Sequence, residues 1–349
     1  MRELPMTFDP EPGLTISGTL CLPEDAGPER PAPAIALLGG TGGDTRDGDM
    51  ARERSPHIVD PPKRGLLRRF AHQLAFVGVA TLRFDKRGCG ESGGTADRSD
   101  YETDLIDNVA ALGALRSHPG IDPARLGVVG HSAGAFNACM VAREVRDLAC
   151  AGLLGAVSGT IEDLVRWNWG RVAEYWPRLT EAQRAWLRAN RPRDVVGAFT
   201  TEAFIDAARR RQDVVRLEAE GLRLELNTVR FRQDMERPMR PEFRHVRCPA
   251  LVLHGGDDMN VRVEDALGTY RALREAGNAD VDLVIVPGVD HSFQPVARDP
   301  LERAWDRFSL ATMARPVSPI ALRALGEWAA RVLQVDVDAA AGPASRATS

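Results

Sequence analysis

The chain has 349 residues, 44% of them hydrophobic and 27% charged, with a formal net charge of -4. That length allows one large domain, or a domain carrying an insertion, with a real core. The charge balance speaks against a nucleic-acid or membrane-surface partner, and no apolar run reaches the length of a membrane span.

The N-terminus, Met1-Arg2-Glu3-Leu4-Pro5, lacks an apolar signal core, so a reducing cytoplasm is the expected location. Five scattered cysteines include no Cys-x-x-Cys pair, which indicates neither a zinc site nor a disulfide framework. Lys63 and Lys86 are the only lysines. The cationic residues are otherwise arginine, a composition bias that weakens any argument from an Arg-rich stretch.

Residues 2–22 read as two extended segments around a turn at Asp9-Pro10-Glu11-Pro12-Gly13. Ala34-Ile35-Ala36-Leu37-Leu38 is a continuous apolar strand of the kind covered on both faces, ending in Gly39-Gly40-Thr41-Gly42-Gly43-Asp44. A polar loop occupies 44–62. Helical spacing over Leu66–Phe76 leads to a strand at Val79–Phe84, then to Asp85-Lys86-Arg87-Gly88-Cys89-Gly90-Glu91-Ser92. Residues 99–117 form an amphipathic helix.

Leu126-Gly127-Val128-Val129 then reads as a buried strand and Ala135–Arg143 as a helix, with Gly130-His131-Ser132-Ala133-Gly134 at the corner. A serine between glycines at a strand-to-helix turn is a nucleophile elbow. The sharp turn strains the serine backbone, and the glycines spare the Cβ atoms that would clash. The following helix N-terminus favours developing negative charge at Ser132.

Gly152–Val157 continues the alternation, which then stops. Residues 160 to about 245 show helical patterning only, with Trp167, Trp169, Trp176 and Trp186 near the start. Strand and helix resume at Ala250–Gly255, near 263–276 and at Val281–Val286, followed by Pro287-Gly288-Val289-Asp290-His291-Ser292-Phe293 and a closing helix, Pro319–Leu333. The Ala-, Gly- and Ser-rich tail, 336–349, is expected to be disordered. Alternating strand and helix predict a doubly wound, mostly parallel sheet, whose ligands bind beyond the carboxyl ends of its strands. Thr41, Asp85, Ser132, Asp258 and His291 all fall at such ends.

These motifs, with His254-Gly255-Gly256-Asp257-Asp258, resemble those of α/β-hydrolase-fold serine hydrolases, nearest the esterase and peptidase branch with a helical cap. The resemblance spans roughly residues 14–334. It implies a core made of 1–159 and 246–335, with 160–245 as the cap. Ser132 would be the nucleophile and His291, in the loop after the final strand, its base. Among the other histidines, His57, His72, His118 and His245 read as surface or packing residues, and His131 and His254 as loop supports. Asp257 and Asp258 are adjacent and only one can orient His291; the family spacing after His-Gly selects Asp258. Asp290 would support its own loop.

The oxyanion donors implied are the N–H groups of Ala133 and Thr41. Gly39 departs from the pattern, standing where many relatives carry histidine. Asp85 and Arg87 read as loop ties beneath the site. The cap tryptophans, Trp167, Trp169 and Trp176 above all, are candidates for lining the substrate pocket. The glycine-rich loop after the first apolar strand fits neither a P-loop nor a dinucleotide fingerprint. No cofactor and no metal are expected, and the partner is a small acyl substrate. The reaction implied is hydrolysis of an ester, lactone, thioester or amide through an acyl-enzyme. Its alternatives are an acyltransferase or cyclase on the same machinery, and a non-catalytic binding protein. Oligomeric state, a homodimer included, is left open.

Overall fold

The computed structural model describes residues 1–41, 44–51, 53, 62–96 and 100–335. Gly42, Gly43, His57 and the 336–349 tail therefore lie outside the described residues. Chain order opens with strands β1 (Arg2–Glu11), β2 (Leu14–Leu22) and β3 (Ala32–Leu38), then helix α1 (Leu66–Phe76), β4 (Ala80–Phe84), α2 (Tyr101–Ser117), β5 (Ile121–His131), α3 (Ala133–Glu144) and β6 (Cys150–Leu154). Between β6 and the next sheet strand come α4 (Ile161–Tyr175), α5 (Glu181–Asn190), α6 (Pro192–Arg209), the hairpin β7 (Val214–Ala219) and β8 (Leu222–Asn227), and α7 (Val229–Glu236). The chain closes with β9 (Ala250–Gly255), α8 (Val263–Glu275), β10 (Val281–Val286), α9 (Pro300–Phe308) and α10 (Pro319–Val332).

Eight strands form one mixed sheet in the order β1-β2-β4-β3-β5-β6-β9-β10. The β1-β2 and β2-β4 pairs are antiparallel, and every pair from β4 to β10 is parallel. The apolar run of β3 shows why such a sheet must be covered twice. Ala34, Ala36 and Leu38 join one core with α2, α3 and α8, whereas Ile35 and Leu37 join the other with α1 and α10. Successive strand residues point to opposite faces, so an unbroken hydrophobic strand buries both. This is the doubly wound architecture that the strand–helix alternation predicts.

Two elements depart from the sequence reading. The stretch read as helical throughout contains the antiparallel β7-β8 hairpin. Its period-two alternation, Val215, Leu217, Leu222, Leu224 and Leu226 on one face, surrounds a two-residue turn in which Glu220 (φ 51) and Gly221 (φ 76) are both left-handed. Helix α9, between β10 and α10, also has no counterpart in that reading. Asp299 caps it, accepting from the N–H groups of Leu301 and Glu302, with Pro300 opening the first turn. Among the described residues no helix is long and apolar enough to cross a membrane.

Candidate active site

Ser132 sits between β5 and α3 with φ 58 and ψ -121, a strained conformation for a residue with a side chain. Crowding enforces the turn. A Cβ on Gly130 would lie 1.9 Å from Gly134 O, and one on Gly134 would lie 2.2 Å from Leu38 O. Gly40 is pressed as closely, since its Cβ would meet the Ser132 Cβ at 2.7 Å. The elbow and the loop after β3 therefore touch through backbone, and only glycine allows it.

Lys86 Nζ donates to Gly40 O at 2.8 Å. In a trans peptide the carbonyl and the following N–H point opposite ways. Holding the Gly40 carbonyl on Lys86 thus turns the Thr41 N–H away from Lys86. Thr41, Ser132 and Ala133 line one cavity together. Asp85 and Arg87 act beneath it as expected of loop ties. Asp85 accepts from Arg46 N–H at 2.6 Å and pairs with its guanidinium at 2.5 Å, while Arg87 makes two bonds to Asp107 at 2.8 and 2.9 Å.

His291 Nδ1 lies 2.6 Å from Asp258 Oδ2, and both side chains are buried. Burial alone would raise the Asp258 carboxyl, but the charge and hydrogen bond of His291, with His254 nearby and the Val261 N–H, hold it below its ordinary value. The carboxylate can only accept, so Nδ1 carries the proton and Nε2 is the nitrogen left for chemistry. The other Asp258 oxygen accepts from the N–H groups of Asn260 at 2.6 Å and Val261 at 2.9 Å. Asp257 is engaged elsewhere, pairing with Arg303 and accepting from Gly288 N–H.

His291 reaches the elbow through two neighbours. It packs over Gly155, where a Cβ would lie 2.9 Å from its Cε1, and Ser132 N–H donates to the preceding carbonyl, Leu154 O, at 2.8 Å. Its ring also lies 4.7 Å from that of His131, whose Nε2 donates to His291 O at 2.7 Å. Burial, then the charges of His291 and Arg64, push the His131 imidazole well below its usual value, so it supports the loop as a neutral donor. His254 is likewise a support, with Nε2 on Val261 O. Asp290 caps its own turn by accepting from Ser292 and Gln294 N–H groups. No hydrogen bond joins Ser132 Oγ to His291 among the described residues. Contacts of this kind commonly tighten only once substrate is bound.

None of the tryptophans is among the residues lining the Ser132 cavity, which include Tyr101, Phe136, Val157, Ile161, Leu164, Met239 and the polar Asp234, though Trp167 lines a small pocket that shares Val157 and Leu164 with it. Trp169 is buried against Phe204, ring centroids 5.1 Å apart. Trp176 packs with Phe199, Trp186 with Trp305, and Trp167 carries Arg171 over its ring. Large aromatics gain most from burial, and here each finds a partner within or beside its own helices. The cavity residues of this segment that sequence reading missed are Ile161 and Leu164 at the start of α4 and Asp234, Arg237, Pro238 and Met239 near the segment's end, none of them marked by a local pattern.

Residues 63–309 match the model of the Alpha/beta hydrolase family. The fold resembles an esterase from Pyrococcus furiosus at 17% identity, covering 95% of this chain and 91% of that one with a TM-score of 0.54. It also resembles an esterase from Butyrivibrio proteoclasticus solved with ferulic acid, at 18% identity, 89% and 100% coverage and a TM-score of 0.52. An alpha/beta hydrolase from Penicillium, GrgF, is similar at 16% identity, 96% and 100% coverage and a TM-score of 0.55.

Proposed function

The chain belongs to the alpha/beta hydrolase family, and we propose that it is a serine hydrolase cleaving a carboxylic ester. The observation that carries this reading is the buried Asp258–His291 hydrogen bond at the sheet edge where Ser132 stands strained between strand and helix. In the reaction Ser132 Oγ attacks the acyl carbonyl while His291 Nε2 takes its proton. Asp258 holds the ring and stabilises the imidazolium. The developing oxyanion is received by the N–H groups of Ala133 and Thr41, neither of which bonds another described residue. The ester C–O bond breaks, the alcohol leaves with the proton from His291, and water resolves the acyl-enzyme by the same steps.

Residues 160–245 act in this reading as a cap, since Ile161 and Leu164 of α4 and Asp234 of α7 supply wall to the Ser132 cavity. Its volume of about 110 Å³ and apolar lining suit a short acyl or alkyl group. The choice of an ester over an amide draws on the esterases among the structural neighbours.

The test is labelling with a fluorophosphonate together with hydrolysis of short p-nitrophenyl esters. Ser132→Ala should abolish labelling and lower turnover by roughly 10⁴- to 10⁶-fold with the fold intact. Turnover equal to the unmutated protein would end the serine-hydrolase reading. Product analysis with and without added alcohol separates hydrolysis from acyl transfer.

A further inference from the structure

A second cavity, also about 110 Å³, opens onto His291 without involving Ser132. Among the described residues it is lined by four arginines, Arg64, Arg191, Arg303 and Arg307, against two carboxylates, Asp257 and Asp290. Most of these charges are already committed. Arg303 pairs with Asp257, and Arg191 pairs with Asp194. Arg64 donates to Gly48 O and to Ser292 Oγ, and Asp290 accepts from backbone N–H groups.

Arg307 differs. Its Nε donates to Asn260 Oδ1 at 2.8 Å and its Nη2 to Asn168 Oδ1 at 2.7 Å. Both partners are neutral amides, and among the described residues no carboxylate forms an ion pair with it. Two of its nitrogens are thus fixed by amides while Nη1 donates to no described group, which presents an oriented cation to the cavity. Burial, with Arg191 beside it, pushes the guanidinium down to about 10, and the more distant carboxylates of Asp194, Asp258 and Asp290 oppose this only in part. An enclosed cation with no carboxylate bonded directly to it is costly, and a bound anion relieves part of that cost.

We propose that this cavity is a carboxylate subsite, in which Arg307 holds a single negative charge on the substrate whose carbonyl is attacked by Ser132. The proposal rests on the serine-hydrolase reading, because a group beside His291 is then a group beside the scissile bond. A monoanion fits better than a phosphate monoester, which carries up to two charges. Asp257 and Asp290 line the same cavity and disfavour the second charge.

The experiment compares kcat/KM for esters ending in a carboxylate with their methyl-ester counterparts: p-nitrophenyl esters carry it on the acyl side in one pair, and esters of a carboxyl-bearing nitrophenol carry it on the alcohol side in another. In the unmutated protein one pair should favour the charged member by about tenfold or more, and added salt should reduce the ratio. Arg307→Gln should bring that ratio close to one, and Arg307→Lys should keep part of it.

Arg307 also bridges Asn168 on α4 to Asn260 beside Asp258, so its loss can slow every substrate; the ratio cancels that shared loss. An unchanged ratio in Arg307→Gln, or no preference in the unmutated protein, overturns the subsite. Should the variant fail to fold, calorimetry on Ser132→Ala with monomethyl adipate, dimethyl adipate and phenyl phosphate decides the matter. Binding of the first alone supports the subsite even if Ser132 proves not to be the nucleophile. Equal binding of the first two, or tighter binding of phenyl phosphate, refutes it.

Discussion

A Cβ added to Gly130, Gly134 or Gly40 would collide with backbone or with the Ser132 Cβ, whereas one added to Gly170 or Gly221, between β6 and β9, meets nothing within 4 Å. The two regions are held differently. Around Ser132 main chain presses on main chain, and buried polar bonds such as Asp258–His291 complete the arrangement. In residues 160–245 side chains do the holding, in two small clusters: Trp169, Phe204, Ile205 and Phe231 form one, and Trp176, Leu179 and Leu187 form the other with Ala304 and Phe308 of α9. Backbone crowding fixes reacting atoms to within the tolerance that catalysis needs. Side-chain packing tolerates substitution and lets a wall change shape while the machinery beneath stays put. On the proposed reading, the difference separates where rate is set from where selectivity is set.

The largest effect should come from the polar bonds of the first region. Asp258→Asn should lower kcat on short esters by about 10⁴, because an amide can hold His291 in the wrong tautomer. Asp257→Asn should cost far less, since Asp257 is turned to Arg303 and Gly288 N–H. Steady-state kinetics on both variants check this. A reversed order would mean that the Asp258–His291 bond is not the one that matters.

The second region should break through packing. Trp169 fills the space over Gly197, whose Cβ would sit 2.4 Å from its ring, and Trp169→Ala should destabilise that cluster by roughly 3–5 kcal/mol. Hydrogen exchange should then show lost protection in β7 and β8 with that of β5 and β6 retained. Equal loss in both would show that the two regions unfold as one cooperative unit and that the distinction drawn from their glycines does not extend to stability.

The sequence carries the first region far better than the second. Ser132 between its glycines, the two-faced β3 run and the strand-end positions of Asp258 and His291 are local patterns, visible without knowing what lies opposite. What brings them together is not local. Lys86 on Gly40 O and Asn168 on Arg307 join residues far apart in the chain, and neither pairing leaves a periodic trace. The β7-β8 alternation was legible in principle, but charged residues fill its open face and resemble the polar side of a helix. Helix α9 announced itself only by Asp299-Pro300, a start signal without a long apolar stripe behind it. For the tryptophans, large aromatics serve both as pocket lining and as packing, and composition alone does not separate the two roles.

The smallest effect probes where the two regions meet. Asp234 on α7 lines the Ser132 cavity, with the Arg230 guanidinium 3.3 Å from its Oδ1. Burial pushes its carboxyl up to about 6, with Arg230 opposing only in part. In the unfolded chain the same group titrates near 3.9. Between those values the folded protein holds a proton that the unfolded chain has released, so this group's contribution to stability falls as pH rises through that window and is lost above about 6. Asp234→Asn removes the titration while keeping the shape. The variant should therefore gain on the unmutated protein from pH 4 to pH 7 by on the order of 1–3 kcal/mol in urea unfolding, on top of any constant cost from weakening the Arg230 contact. A stability difference that stays flat across that range would place the Asp234 carboxylate in water, outside the cavity wall. A rising difference would show that Asp234 ionises within the wall of the Ser132 cavity, beside Arg230 and in a lining that also holds Arg237, only as the pH approaches neutrality.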